Sequence, residues 1–160
     1  MSKVIAIRKA RKDDAQEVWD VRNAAILGLC TGYYSQDDLA LWTQGELTRK
    51  FTEAVEDSFY VAVIDDRVVG TGMIDLESGK LDAIFVHPSF MREGIGRQML
   101  LFLERLARDA SLTRLFLDST LNAAAFYRTC GFVGDAVAKY QSPRGITLAC
   151  IPMTKTLRTA

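Results

Sequence analysis

The segment LDAIFVHPSFMREGIGRQMLLFLERL, residues 81 to 106, constrains this chain more than any other. Leu81 to Val86 is a β-rich run that Pro88 halts, because proline has no N–H to contribute to a ladder. A loop holding Gly94 and Gly96 follows, and Ile95, Met99, Phe102, Leu103 and Leu106 then recur at helical spacing. Leu115 to Leu117 is strand-like again. Two strands joined through a helix are expected to lie parallel, since antiparallel neighbours need only a turn. The other runs are joined by turns. Phe59 to Ile64 and Val68 to Ile74 meet through Asp65, Asp66 and Arg67, and Glu77 to Lys80 leads into Leu81. The sheet is therefore expected to be mixed and mostly antiparallel.

Shorter elements flank this centre. Val4 to Ile7 alternates as a strand does, and Asp13 or Asp14 then caps a helix carrying Ala15, Val18, Trp19, Ala25 and Ile26. Ser35 with Asp38 three positions on predicts a second helix, holding Leu39 and Trp42 and stopping near Gly45. A third is predicted from Glu46 to Val55. Asn122 to Thr129 reads as a short helix closed by Gly131. The tail reads as a hairpin, Phe132 to Tyr140 and Ile146 to Met153, turning at Ser142, Pro143, Arg144 and Gly145. No repeat, low-complexity tract or linker divides the chain, so residues 1–160 are expected to form one domain. At 160 residues and 49% hydrophobic it is long enough for a core without cross-links.

Charge and cysteine usage exclude several partners. Twenty Lys plus Arg balance twenty Asp plus Glu, leaving no excess field for nucleic acid or an anionic membrane surface. Cys30, Cys130 and Cys150 are odd in number and lack CxxC spacing, as expected of buried thiols in a reducing compartment. With a single histidine they make no metal-ligand set, and no metal is expected. The apolar run in MSKVIAIRKARKDD is too brief for a signal sequence and no stretch is long enough to span a bilayer, so a cytoplasmic location is expected.

Two stretches carry chemistry. Gly94 and Gly96 at a helix start let backbone N–H groups converge where the macrodipole favours an anion, with Arg92 and Arg97 beside them to bond phosphate oxygens. A loop that merely turns the chain between two solvated arginines is the plain alternative. In TLNAAAFYRTCGF, residues 120 to 132, Asn122 opens a helix and Tyr127 follows on it. A phenol of ordinary pKa near 10 suits protonating a departing thiolate, although a buried tyrosine is also a common packing residue. His87, between Val86 and Pro88, is read as structural rather than as a base.

Together these stretches resemble the GCN5-related N-acetyltransferase (GNAT) superfamily over essentially the whole element order. The resemblance lies in V-x-P followed by G-x-G at Val86 to Gly96, and in N-A-x-x-F-Y-x-x-x-G-F at Asn122 to Phe132. It implies an α/β fold of the α+β type, with a mixed, mostly antiparallel sheet and helices on both faces. It also implies a splayed strand pair holding acetyl-CoA as co-substrate. Ile84, Phe85 and Val86 would bond the pantetheine arm through their backbone as an added strand does. The pyrophosphate loop would be Met91, Arg92, Glu93, Gly94, Ile95 and Gly96, with Arg97 beyond it. Met91 stands where the family usually has a polar residue.

The implied reaction is direct attack of an amine on the thioester. Tyr127 would protonate the leaving sulfur, and Asn122 would orient the pantetheine or a water. Some members use a Glu on the strand before V-x-P; Lys80 occupies that place, and Asp82, Glu77, Asp75 and Asp118 are the candidate substitutes, among which spacing does not choose. Tyr33, Tyr34 and Trp42 lie in the region that covers the acceptor site in this superfamily; the alternative is that they pack, which is favoured for Trp42. The resemblance implies a small-molecule or peptide amine as acceptor, and the terminal hairpin is a candidate for pairing two copies into a homodimer. The rival readings are a non-catalytic acyl-CoA sensor and a nicotinamide-dinucleotide enzyme. The latter has Asp118 downstream of Gly96, but Met99 in the third glycine place and no second strand-helix unit.

Overall fold

The computed structural model describes residues 4–141 and 145–158. In chain order it contains β1 (Ala6–Lys9), α1 (Ala15–Leu29), α2 (Gln36–Thr43), α3 (Arg49–Ser58), β2 (Phe59–Ile64), β3 (Arg67–Asp75) and β4 (Lys80–Val86). There follow α4 (Ile95–Asp109), β5 (Arg114–Ser119), α5 (Ala124–Thr129), β6 (Ala138–Gln141) and β7 (Thr147–Thr156), with single 3₁₀ turns at Lys12–Asp14 and Pro88–Phe90. The strands form one sheet in the order β1-β2-β3-β4-β5-β7-β6. Only β4 and β5 run parallel, and the other adjacent pairs are antiparallel. A single parallel pair, with β7 antiparallel on the far side of β5, is not the doubly wound sheet of a dinucleotide-binding domain.

Alternation sorts the side chains onto two faces. Ala62, Ile64, Val69, Ile74, Leu81, Ile84 and Val86 pack with Ile95, Met99 and Leu103 of α4 and Ala124 and Tyr127 of α5. From the neighbouring positions Phe59, Val61, Val68, Ala83 and Phe85 point the other way, onto Ala15, Val18 and Val21 of α1 and Val55 of α3. Residues as enclosed as Leu103, Ile26 and Val55, each with no exposed surface, stabilise the fold by roughly 1.5–3 kcal/mol apiece. A third cluster joins Ile26 of α1 and Cys30 just after it, Leu39 and Trp42 of α2, and Ile146 and Leu148 at β7.

Several boundaries differ from expectation for local reasons. β1 starts two residues late. Asp14 stands at the N-terminus of α1 but does not cap it: its carboxylate accepts from the Arg8 guanidinium at 2.7 and 3.0 Å and from Arg11 N–H at 2.7 Å. Ser35 caps α2 as anticipated, its Oγ accepting from Asp38 N–H at 3.0 Å. α3 begins at Arg49 rather than Glu46, because Thr48 Oγ1 accepts from Phe51 N–H and fixes the start there. The expected strand from Phe132 shrinks to Ala138–Gln141, with only an isolated bridge between Val133 and Thr154 upstream. Of the anticipated turn, Ser142, Pro143 and Arg144 lie outside the described residues.

Candidate active site

The pairing of β4 changes along its length. Its β3 side is registered from Lys80 opposite Asp75 to Val86 opposite Gly70, whereas its β5 side has the single registered pair Lys80–Phe116. Beyond that pair the strands part. Lys80 Nζ and Asp118 Oδ2 close the vertex at 2.9 Å, and a cleft of ≈ 680 Å³ opens above them. Because it is a gap in the sheet itself, it is lined from both faces: by α4 and α5 on one side, and by α1, Tyr33, Tyr34, β6 and β7 on the other.

A bulge shapes the cleft wall. Thr71 pairs with Phe85 and Met73 with Asp82, so β4 has one residue more than β3 over this interval. Ala83 takes it up at φ +52°, a left-handed conformation that costs a residue with a Cβ about 1 kcal/mol. Side chains hold both its backbone groups. Asp82 Oδ1 accepts Ala83 N–H at 2.7 Å, and the hydroxyl of Thr71, only 1% exposed, donates to Ala83 C=O at 2.7 Å. The unpaired edge of Ile84 to Val86 thus faces the cleft in a fixed orientation.

The loop before α4 has the form of an anion cradle. Arg92 at φ +65° and Gly94 at φ +79° turn the chain twice through left-handed conformations, and α4 starts at Ile95. The first N–H groups of a helix have no intrahelical acceptor, and here they border the cleft. Gly96 keeps the approach narrow but open, since a Cβ there would stand 3.3 Å from Phe126 and 3.7 Å from Val86. Met91, Arg92, Ile95 and Arg97 also line the cleft. Glu93 does not; its side chain is exposed outside it, leaving only its backbone in the loop. His87 also lies outside, where its Nδ1 accepts Ser89 N–H at 3.1 Å and caps the Pro88–Phe90 turn.

Asp82 and Tyr127 face the gap from opposite sides of the sheet. Tyr127 is 7% exposed on α5, its ring set against Phe126 and Phe132. Burial pushes its phenol far above the usual range, and the nearby Asp82 charge raises it further. Asp82 lies on the other side, within electrostatic reach of Arg22 on α1. Its carboxylate has accessible surface, but that surface borders the cleft, and desolvation by the surrounding walls moves its pKa above the usual carboxylate range. The substitutes for the base role separate here. Asp75 binds Glu77 N–H and Ser78 Oγ in a turn outside the cleft, Glu77 is in that turn, and Asp118 is paired with Lys80.

The aromatic trio also divides. Trp42 is a core residue that reaches the cleft wall, with Tyr34 edge-on against it at 5.7 Å. The Tyr34 hydroxyl is engaged, donating to Ala149 C=O at 2.6 Å and accepting from Leu121 N–H at 3.1 Å. Tyr33 is 55% exposed at the rim. Asn122 lines the cleft with its Oδ1 3.3 Å from Cys30 Sγ, which donates to it. Cys30 is buried, as expected from the sequence, and burial pushes its thiol up to about 11, so the proton stays on sulfur. Thr71, Cys30 and Tyr140 were not found as site residues from sequence. The extra residue in β4 has no compositional mark, and Asn122, the partner of Cys30, lies 92 residues along the chain.

The pattern of the acetyltransferase (GNAT) family matches residues 23–132, most of the chain. The chain belongs to this family. It is an acetyl-CoA-dependent N-acetyltransferase, as the family's common chemistry requires. A Schizosaccharomyces pombe glucosamine 6-phosphate N-acetyltransferase is 30% identical over 100 residues, covering 53% of this chain and 90% of that one. Among solved structures, a GCN5-related N-acetyltransferase of Rhodopseudomonas palustris superposes with a TM-score of 0.88 at 24% identity, over 98% of each chain. The PaiA N-acetyltransferase of Thermoplasma acidophilum, in complex with coenzyme A, gives 0.75 at 18% identity over 96% of this chain and 99% of that one. At such identities these two likenesses speak to the fold alone. Among the described residues, no helix of this acetyltransferase is long and apolar enough to cross a membrane and no acidic, histidine and cysteine cluster forms a metal site.

Proposed function

We propose that the chain transfers an acetyl group from acetyl-CoA to a primary amine by direct attack in a ternary complex, across the gap between β4 and β5. The observation that carries the reading is the placement of Asp82 and Tyr127 on opposite sides of one cleft that passes between two unpaired strand edges. The residues present fit the co-substrate. The amides from Gly94 to Arg97, with Arg92 and Arg97 nearby, suit a pyrophosphate, and the free edge from Ile84 to Val86 suits the amide-bearing pantetheine arm. Met91 and Glu93 contribute backbone. Bound there, acetyl-CoA supplies an activated acyl group and a thiolate leaving group.

The protein's own groups divide the proton work. A cationic amine enters from the α1 side, where Asp82 accepts its proton and leaves the lone pair for attack. The thioester carbonyl meets backbone N–H groups at the end of β4, which stabilise charge as it develops on oxygen. Tyr127 donates its proton to the departing sulfur. Its raised pKa makes it a weaker acid than a free phenol, so the transfer waits until charge has developed on the sulfur. Asn122, its Oδ1 engaged by Cys30, turns its amide N–H₂ toward the pantetheine or a bound water.

Tyr127→Phe tests this division. Phe retains the packing on Phe126 and Phe132, so folding and acetyl-CoA affinity are expected to hold while turnover falls by roughly 10²-fold, the scale of a lost general acid. Single-turnover kinetics with acetyl-CoA affinity measured separately checks it. A variant with unchanged chemistry would remove Tyr127 from the mechanism.

A further inference from the structure

The acceptor half of the cleft has an unusual economy of polar atoms. Facing the gap from the α1 side are Leu29, Cys30, the ring of Tyr34, Leu148 and Cys150, with Tyr33 exposed at the rim. Several of the polar atoms in this wall are engaged within the protein, and Tyr140 and Thr120, each with a hydroxyl, also line the cleft. Cys30 Sγ donates to Asn122, the Tyr34 hydroxyl is bonded on both its donor and acceptor sides, and Lys80 is paired with Asp118. Arg22, behind the wall, gives its guanidinium to Asn23 Oδ1 at 2.6 Å and Trp42 C=O at 3.1 Å, and stacks on Trp19 at 4.7 Å. The remaining cationic residues lining the cleft, Arg92 and Arg97, belong to the anion cradle on the opposite face. Among the described residues, then, Asp82 is the one cleft-lining carboxylate without an ion-pair partner.

We propose that the acceptor is a primary amine carrying one positive charge on an apolar or aromatic body, and that amino-sugar phosphates and polycationic amino sugars are poor acceptors. The inference rests on the acetyltransferase reading and follows from what each body would meet. An ammonium group entering the gap finds Asp82, and burial of that carboxylate makes a cation a favourable partner. A phosphate on the acceptor would lie beside Asp82 and Asp118, and among the described residues this half of the cleft offers no unpaired cation to receive it. A polyhydroxylated ring would lose water against a largely apolar wall with few hydroxyls to replace it, and a second or third ammonium would find no second unpaired carboxylate among the described residues of the cleft. An alkyl or aryl body loses only unfavourable contact with water there, and Tyr33 at the rim adds a ring face for an aromatic one.

The test uses the purified full chain with saturating acetyl-CoA and four amines: 2-phenylethylamine, hexylamine, glucosamine 6-phosphate and kanamycin. Acetylated product is quantified by mass spectrometry. The expected result is a kcat/KM for the first two at least about tenfold above that for either sugar. A sugar acetylated as efficiently as the apolar amines overturns the proposal. No product from any of the four, by protein that acetyl-CoA stabilises thermally, overturns the acceptor class and leaves cofactor use standing; failure of acetyl-CoA to stabilise the protein as well would take the underlying reading with it. Tyr33→Ala, at an exposed position that does not threaten folding, is expected to raise KM for 2-phenylethylamine several-fold more than KM for hexylamine. Equal effects on the two amines overturn the part assigned to Tyr33.

Discussion

The two edges of β4 have opposite fates. Its β3 edge is paired along nearly its whole length, and one slip in that register is compensated by two side chains, Thr71 and Asp82, acting on Ala83. Its β5 edge is paired once, at Lys80, and then left open along a wall of the cleft. Buried backbone groups are ordinarily satisfied within the fold. An open edge that remains within the protein is therefore where the proposed co-substrate would complete the sheet. The difference teaches which substitutions should be felt where: changes on the open edge should alter chemistry or cofactor affinity, and changes on the closed edge should alter both stability and chemistry, because the closed edge aims the open one.

Asp82→Asn should produce the largest effect, since Asp82 belongs to both edges: one carboxylate oxygen holds the bulge and the cleft holds the group. Asn keeps an oxygen for Ala83 N–H but cannot accept the amine's proton, so kcat/KM is expected to fall by roughly 10²-fold or more. The pH profile identifies the cause. Activity that needs Asp82 ionised rises with pH through a midpoint above the ordinary carboxylate range, and that limb should disappear from the variant when both proteins are assayed with the same amine. Stability should move the other way. A carboxyl whose pKa is raised by folding favours the protonated form, so the fold loses stability as pH climbs from the unfolded pKa to the folded one. The neutral amide does not incur that loss, and its Tm at neutral pH should equal or slightly exceed that of the parent. A variant with reduced activity, an unchanged acid limb and a lower Tm would make Asp82 a structural residue of the closed edge.

Gly96→Val tests the open edge where it meets the cradle. Its branched side chain would extend past the 3.3 Å separation from Phe126 and narrow the approach to the first amides of α4. Acetyl-CoA affinity is expected to weaken about tenfold, near 1.4 kcal/mol, with kcat at saturation changing much less. Calorimetric titration measures the first and steady-state kinetics the second. Unchanged affinity would show that the cradle lies elsewhere.

The sequence made the open edge legible and hid the closed one. Pro88 after Val86, Gly94 and Gly96 before an amphipathic run, and Asn122 with Tyr127 are local signals, each a residue type whose backbone or side-chain chemistry is needed where it stands. They placed the cleft and all but Glu93 of its anticipated lining. The bulge is different. Nothing in VVGTGMID or KLDAIFV marks Ala83 as left-handed, because the conformation is imposed by register with β3 and held by a threonine twelve residues away. The selection among carboxylates was hidden for the same reason. Asp118 is paired with Lys80, a partner that the parting of two strands brings to the vertex. The α3 start was readable in Thr48, a capping residue passed over in favour of Glu46. By contrast, the shortening of the strand after Phe132 depends on pairing with β7.

Thr71→Val is the smallest of these changes and the one aimed most directly at the coupling between the edges. Val has nearly the same shape and suits a strand, so the substitution removes little but the hydroxyl that donates to Ala83 C=O. A carbonyl left without its donor in a buried site costs about 1–3 kcal/mol, which in a domain of this size lowers Tm by several degrees. The bulge can relieve that cost by rotating the peptide, and the rotation would carry the edge from Ile84 to Val86 out of line with the cleft. Turnover is therefore expected to drop a few-fold along with Tm, and Thr71→Ser, which retains the hydroxyl, should restore turnover more fully than stability because it lacks the γ-methyl. If Thr71→Val instead loses stability with kinetics intact, the two edges of β4 are independent. The orientation of the open one must then come from α4 and Phe85 packing rather than from the bulge.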